Sequence, residues 1–275
     1  MTESVETWEA RRFFVPNEDA GVVRAALGLC SPPPVAPLFV GGSGMVLLDA
    51  ASDHPSARAT YVDVSRHQVE YFRSLAAAIS AARTAQEART WFETEVYPQM
   101  SEYYRSRGKD YPLEQVLAAL RDLFRIRFFF SDEALARARV AAREVAVVTA
   151  DVVAYLAATP RRHDYLYLSN VPDYLAPERS RALFGACRRH RAPVYLLVTS
   201  ATPDAGLLRR VWMEEGYREE PRSGSLDADN RGLGAKGLER SWNRPGKLCL
   251  LTIDEAAACR ADEAAAHVHM GHAGP

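Results

Sequence analysis

The sequence predicts an α/β fold: a mostly parallel sheet covered by helices on both faces, with an antiparallel terminal strand and a helical insertion. Three observations point there. Short apolar runs alternate with helically spaced stretches between residues 37 and 253. The first run closes on Gly41-Gly42-Ser43-Gly44 and passes directly into Met45 to Ala51, which reads as strand, tight turn and helix. About sixty residues then separate the second helix from the third strand, more than an economical β-α-β crossover requires.

Taken in order, residues 1–36 are expected to form an N-terminal helical segment packing on the core, closed by Pro32, Pro33 and Pro34. Pro37 to Val40 is the first strand of an α/β domain spanning residues 37–253. Ala59 to Val64 is β-rich and contains Asp63 at its end, and Arg66 to Ala82 sets Val69, Phe72, Leu75 and Ala76 at helical spacing. The insertion, residues 84–143, carries Trp91, Phe92, Tyr97, Tyr103, Tyr104, Tyr111, Phe124 and the run Phe128-Phe129-Phe130, with helical composition over Leu113 to Arg127 and Asp132 to Arg143. It reads as a lid over a ligand, the alternative being helices that cover one sheet edge. Val145 to Thr149, Tyr165 to Leu168 and Pro193 to Val198 supply three more strands, with helical patterns over Glu178 to Arg189 and Leu207 to Glu215. Arg222 to Gly246, with Arg231, Lys236, Arg240 and Arg244, is either a flexible binding loop or a hairpin tip. Lys247 to Ile253 is expected to pair antiparallel at a sheet edge, and residues 254–275 to form a flexible tail.

Composition excludes several functions. The 275 residues are 48% hydrophobic and 25% charged, enough for a full core and inconsistent with a disordered or fibrous chain. A formal net charge of −1 supplies no global basic field, so nucleic acid is not an expected partner. Cys30, Cys187, Cys249 and Cys259 form no Cys-x-x-Cys pair, which argues against a structural zinc site or a disulfide framework and for a cytoplasmic setting. No apolar run approaches a membrane span, no basic amphipathic helix suggests stable membrane association, and the acidic N-terminus lacks signal-peptide zones. The His267, His269 and His272 tail has ligand residue types but no packing pattern to preorganise them, so no metal is expected.

Three constellations could carry chemistry. Gly41, Gly42, Ser43 and Gly44 sit at a strand-to-helix turn, and Asp63 follows nineteen residues after Gly44 at the end of the next strand. Glycines let the backbone approach a ligand and present amides at a helix start, and a carboxylate on the neighbouring strand can accept both hydroxyls of a ribose. Leu47 stands where a dinucleotide fingerprint needs its third glycine, so an adenosine ligand without a pyrophosphate fits better, and a dehydrogenase fits poorly. Asp151, with Val152, follows the third strand and suits either an adenine contact or a helix N-cap. Ser169, Asn170, Asp173 and Tyr174 follow the fourth strand, where the ligand crevice of an open α/β sheet lies.

These residues resemble a known family. The order of glycine turn, Asp63, Asp151, a polar loop after strand four and a terminal hairpin near Lys247 looks like the Rossmann-like class I S-adenosylmethionine-dependent transferase fold. Phe39 to Gly44, Tyr61 to Gln68 and Leu168-Ser169-Asn170-Val171-Pro172-Asp173-Tyr174-Leu175 are more similar to the 3-amino-3-carboxypropyl transferases, a group that includes betaine-lipid synthases and isonocardicin synthase. The resemblance covers about residues 37–83 and 145–253, and Asn170-Val171-Pro172-Asp173 departs from the Asp/Asn-Pro-Pro-aromatic loop of many amine methyltransferases.

The resemblance implies S-adenosylmethionine as co-substrate, without a metal. It places Gly41, Gly42, Ser43 and Gly44 beside the cofactor's centre, Asp63 on its ribose with Val64 and Gln68 nearby, Asp151 and Val152 near adenine, and Ser169, Asn170 and Val171 near its amino-acid portion. The implied reaction moves the 3-amino-3-carboxypropyl group to a phenol, hydroxyl or amine of a small molecule, with antibiotic or other specialised metabolism as the implied setting. Methyl transfer is the alternative, and non-catalytic nucleoside binding a further one. Asp173 and Tyr174 are the expected proton-handling residues, and Tyr97, Tyr104 and Arg127 of the insertion the expected acceptor-pocket residues. His67 reads as a helix-start residue, and His54 and His163 as surface residues on the opposite sheet edge.

Overall fold

The structure, a computed structural model, describes residues 13–16, 18–54, 57–199, 204–224 and 246–254. The expectations for residues 1–12, for Arg231 to Arg244 and for the histidine tail lie outside the described residues. Helix α1 (Ala20–Gly28) leads to strand β1 (Pro37–Val40), helix α2 (Met45–Ala51), strand β2 (Thr60–Asp63) and helix α3 (Arg66–Ala81). The insertion is built from α4 (Ala85–Trp91), a π-helical turn (Phe92–Val96), α5 (Tyr97–Arg105), α6 (Leu113–Ala118), a second π-helical turn (Ala119–Leu123) and α7 (Asp132–Glu144). Strand β3 (Ala146–Thr149), α8 (Val152–Ala158), β4 (Tyr165–Ser169), a 3-10 turn (Val171–Tyr174), α9 (Pro177–Arg188), β5 (Val194–Thr199), α10 (Ala205–Glu214), β6 (Tyr217–Glu219) and β7 (Gly246–Ile253) complete the described chain.

The sheet runs β3-β2-β1-β4-β5-β7-β6. Strands β1 to β5 are parallel and β7 pairs antiparallel with both β5 and β6. This is the Rossmann-like class I methyltransferase-type sheet. Strand β7 therefore lies inside the sheet rather than at its edge as expected, because the short strand β6 covers it. Three residues are too few for a period-2 pattern to announce a strand.

Strand side chains alternate between two apolar cores. Phe39, Tyr61, Tyr165, Tyr167 and Tyr195 face one core with α1, α2, α3 and the insertion. Leu38, Val40, Val62, Leu166, Leu168, Val194 and Leu196 face the other, with residues of α8, α9 and α10. Helix starts obey local rules: Ser65, Thr84, Ser131, Asp151 and Asp204 each accept a backbone N–H of the first turn. In the insertion, Phe92, Val96, Met100, Leu120, Phe124, Phe128 and Phe129 are buried in the same core as Phe72 and Leu75 of α3. The apolar side chains read as a lid are thus structural packing.

Candidate functional site

The carboxyl ends of β1 to β4 open into a cavity of about 430 Å³. The glycine turn after β1, Asp63 at the end of β2, Asp151 after β3 and the loop after β4 all border it.

The turn owes its shape to glycine at two places. Gly44 has φ +72, and a Cβ there would lie 2.0 Å from Cδ2 of Phe72, so α2 packs against α3 only without a side chain at this position. Gly42 has φ +71, with nothing within 4 Å of an added Cβ, so its backbone is open. The Gly42 carbonyl is held from behind by the Tyr61 hydroxyl at 2.9 Å and by Gln68 Nε2 at 2.8 Å. Tyr61 stacks on Phe72 with ring centroids 4.1 Å apart. Burial pushes the Tyr61 phenol well above its ordinary pKa, with the Asp63 charge acting in the same direction. The hydroxyl is thus a proton donor to the turn.

Asp63 reaches the rim because β2 ends in register with Thr149 of β3. Its Oδ1 accepts the Ser65 N–H at 2.8 Å, which fixes the carboxylate at the start of α3. Asp151 caps α8, Oδ1 accepting the Ala154 N–H at 3.0 Å, and its Oδ2 accepts from Arg179 of α9. Asp151 is thus a helix cap, as the second reading expects, and it also lines the cavity.

The loop after β4 starts with a distortion. The register between β4 and β5 shifts between Tyr167 and Ser169, and Ser169 has φ +52, a left-handed conformation costly for a residue with a Cβ. There the Ser169 hydroxyl donates to Oε1 of Glu18. Asn170 Nδ2 donates to the Tyr174 hydroxyl at 3.2 Å.

Glu18 is the functional candidate that the sequence reading lacked. It lies just before α1, is 2% exposed, and its Oε2 is buried without a hydrogen-bond partner. The Tyr167 and Tyr195 hydroxyls are close enough to lower its pKa but leave Oε2 unsatisfied. Burial dominates and, with the Asp173 charge, pushes the carboxyl up to about 7. Nothing local announces this, because the partner is 151 residues away in sequence. The same N-terminal segment brings Phe13 and Pro16 to the cavity wall, held by a reciprocal pair of 3.0 Å hydrogen bonds between the Phe13 backbone and the Gln68 amide.

The structure brings together Gly41, Gly42, Ser43, Gly44, Asp63, Val64, Gln68, Asp151, Val152, Ser169, Asn170, Val171 and Tyr174 around this cavity. Asp173 is buried and does not line it. The insertion contributes no lining residue, so the expected acceptor residues fall elsewhere. Tyr97 donates to the Tyr111 carbonyl at 3.1 Å, and Tyr104 packs edge-on against Tyr103 and Tyr111. Arg127 pairs with Asp49 at 3.3 Å and Asp53 at 3.0 Å, beneath α2 and α7 rather than toward a ligand. A buried carboxylate needs a cation more than a solvated acceptor does. His67 is exposed in the first turn of α3, as expected. His163 is not a surface residue: it is buried between the Ala36 carbonyl at 3.0 Å, the Tyr155 hydroxyl at 3.2 Å and the His190 ring.

No family model and no curated protein matches the chain. Among solved structures, it is similar to the StiE O-methyltransferase (10% identity, 88% of this chain and 79% of that one, TM-score 0.46). It is also similar to a protein described under the conversion of a disulfide bond into a thioacetal group during echinomycin biosynthesis (14% identity, 97% and 98% covered, TM-score 0.46). An S-adenosylmethionine-dependent methyltransferase from Archaeoglobus fulgidus matches at 13% identity over 91% and 95%, with a TM-score of 0.42. The fold assignment rests on the chain's own strand order and pairing.

Proposed function

We propose that the cavity binds S-adenosylmethionine and that the protein transfers one of its alkyl groups to a small-molecule acceptor. One observation carries this reading: the glycine turn, Asp63, Asp151 and Ser169-Asn170 come from four successive parallel strands and meet around a single cavity. The residues fit the ligand. The volume falls within the roughly 300–1,000 Å³ of small-molecule sites, the backbone at Gly42 is open, and Glu18 leaves an unsatisfied buried oxygen behind Ser169.

S-adenosylmethionine, when bound, supplies a sulfonium whose neutral thioether is the leaving group of a nucleophilic displacement. The chain's task is then to orient and to exclude water. In this reading, Asp63 accepts the ribose hydroxyls, and Gly42, Ser43 and Gly44 bring backbone against the centre of the ligand. Asp151, fixed by Arg179, borders the adenine end, and Ser169 and Asn170 border the amino-acid end. Phe13, Pro16, Phe39, Val46, Leu47 and Leu175 furnish apolar walls.

The finer reading is transfer of the 3-amino-3-carboxypropyl group to a phenol, hydroxyl or amine of a specialised metabolite, supported by the similarity of Leu168 to Leu175 to that family's loop. Methyl transfer, the alternative, fits the same strand order and differs only in the carbon attacked. Mass-spectrometric analysis of the nucleoside by-product, with a panel of phenols and amines and a no-enzyme control, separates them. The expected product is 5′-methylthioadenosine; S-adenosylhomocysteine would establish the methyl reading, and enzyme-dependent formation of neither would contradict both.

A further inference from the structure

The buried carboxyl behind the cavity ties the residue before α1 to the loop after β4 through its bond to Ser169. Glu18 uses one oxygen on Ser169 and leaves the other without a partner, an arrangement that costs stability. The Tyr165 hydroxyl is likewise buried without a partner. The titratable groups facing Glu18 are Tyr165 and Tyr167 from β4, Tyr195 from β5 and Asp173 from the 3-10 turn. Ser169 joins this polar cluster to the cavity by a direct hydrogen bond to the carboxyl, and it does so from a bulge and a left-handed backbone that aim its hydroxyl at Glu18. Strain of this kind persists only where the surroundings enforce it.

We propose that Ser169 takes the proton released by the acceptor's nucleophile and passes its own to Glu18, which positions the serine and is where the proton comes to rest. The proposal rests on the transferase reading above. The steps balance: the acceptor's O–H or N–H bond breaks as its lone pair forms the new bond to carbon, and the carbon–sulfur bond breaks with its electron pair staying on sulfur. The acceptor proton bonds to Ser169 Oγ while the serine proton bonds to Glu18 Oε1, so one cation and one carboxylate become neutral together. A neutral phenol, alcohol or ammonia-type nitrogen is the class of nucleophile this serves. The charge logic runs both ways. A sulfonium in the cavity favours the ionised carboxylate, so binding readies the acceptor, and loss of that charge on transfer favours the protonated acid.

Three measurements test this. First, infrared difference titration of the ligand-free protein against Glu18→Gln is expected to show a buried carboxyl that titrates near neutrality and is absent from the variant. Second, calorimetry at neutral pH in buffers of different ionisation enthalpy is expected to show partial proton release when S-adenosylmethionine binds the wild type. That release is expected to be lost in Glu18→Gln and smaller with the uncharged thioether S-adenosylhomocysteine. In single turnover at saturating ligand, Glu18→Gln and Ser169→Ala are each expected to slow transfer by about 10²-fold or more and to flatten its pH profile. Ser169→Ala keeps the carboxyl and so guards against a folding defect in the other variant. Binding and turnover without Glu18-dependent proton release or pH dependence would overturn the proposal alone, whereas failure of S-adenosylmethionine to bind would overturn the transferase reading and the proposal with it.

Discussion

Gln68 Nε2 donates a 2.8 Å hydrogen bond to the carbonyl of Gly42, which fixes the glycine turn from the first turn of the neighbouring helix. The same amide pairs with both backbone polar groups of Phe13. One buried side chain therefore sets the position of the turn and of the N-terminal segment that walls the cavity.

Replacing Gln68 by alanine should leave the Phe13 N–H and C=O without these partners and free the turn on one side. Each lost buried hydrogen bond is worth about 1–3 kcal/mol when a partner is left unsatisfied. The expected outcome is a lower urea-unfolding midpoint together with weaker nucleoside affinity, read by denaturation and by calorimetry.

Much of this was legible in the sequence. Asp63 could be placed because the β-rich run Ala59 to Val64 carries it near its end and the glycine turn precedes it at the right distance, both local patterns. Ser169 and Asn170 followed from their place after the fourth strand, and Asp151 from its N-cap chemistry. Glu18 was not legible, since the burial that raises its pKa is created only by the fold, which seats it against Ser169, Tyr167 and Tyr195 far along the chain, whose hydroxyls act in the opposite direction. Arg127 was not legible either: grouped with Tyr97 and Tyr104 of the insertion it suits an acceptor pocket, and only the fold reveals buried Asp49 opposite it. The position of His163 before a strand suggests a surface residue, yet His190 and the Ala36 carbonyl enclose it.

Arg127 offers a check on that correction. Burial pushes the Asp49 carboxyl up, and Arg24 and Arg127 hold it down. Arg127→Ala removes one charge-assisted partner from each of Asp49 and Asp53 and is expected to destabilise the fold by about 2 kcal/mol. Nucleoside affinity of the folded fraction should not change. A folded variant with unchanged stability but impaired acceptor use would restore the acceptor-pocket reading.

The pH dependence of stability has a defined sign. The folded pKa of Glu18 is raised from 4.5 to about 7, so the folded state holds this proton more tightly than the unfolded state. Its contribution is fully present below about pH 4.5 and is lost as pH rises through about 7, amounting to roughly 3 kcal/mol over that interval. Urea unfolding of the wild type and Glu18→Gln at both ends of the window isolates it. The variant should gain stability relative to the wild type as pH rises. The comparison also cancels His163 and His190, whose burial lowers their pKa values and makes them lose stability on acidification.

The central claim is that the cavity beside Asp63 is the S-adenosylmethionine site, and calorimetric titration of the ligand into wild type, Asp63→Ala and Arg127→Ala tests it most directly. The expected result is saturable binding at one site per chain, weakened about tenfold to a hundredfold by Asp63→Ala, the range for a lost charge-assisted hydrogen bond, and unchanged by Arg127→Ala. Absence of saturable binding to the wild type, or equal affinity in Asp63→Ala, would contradict the assignment.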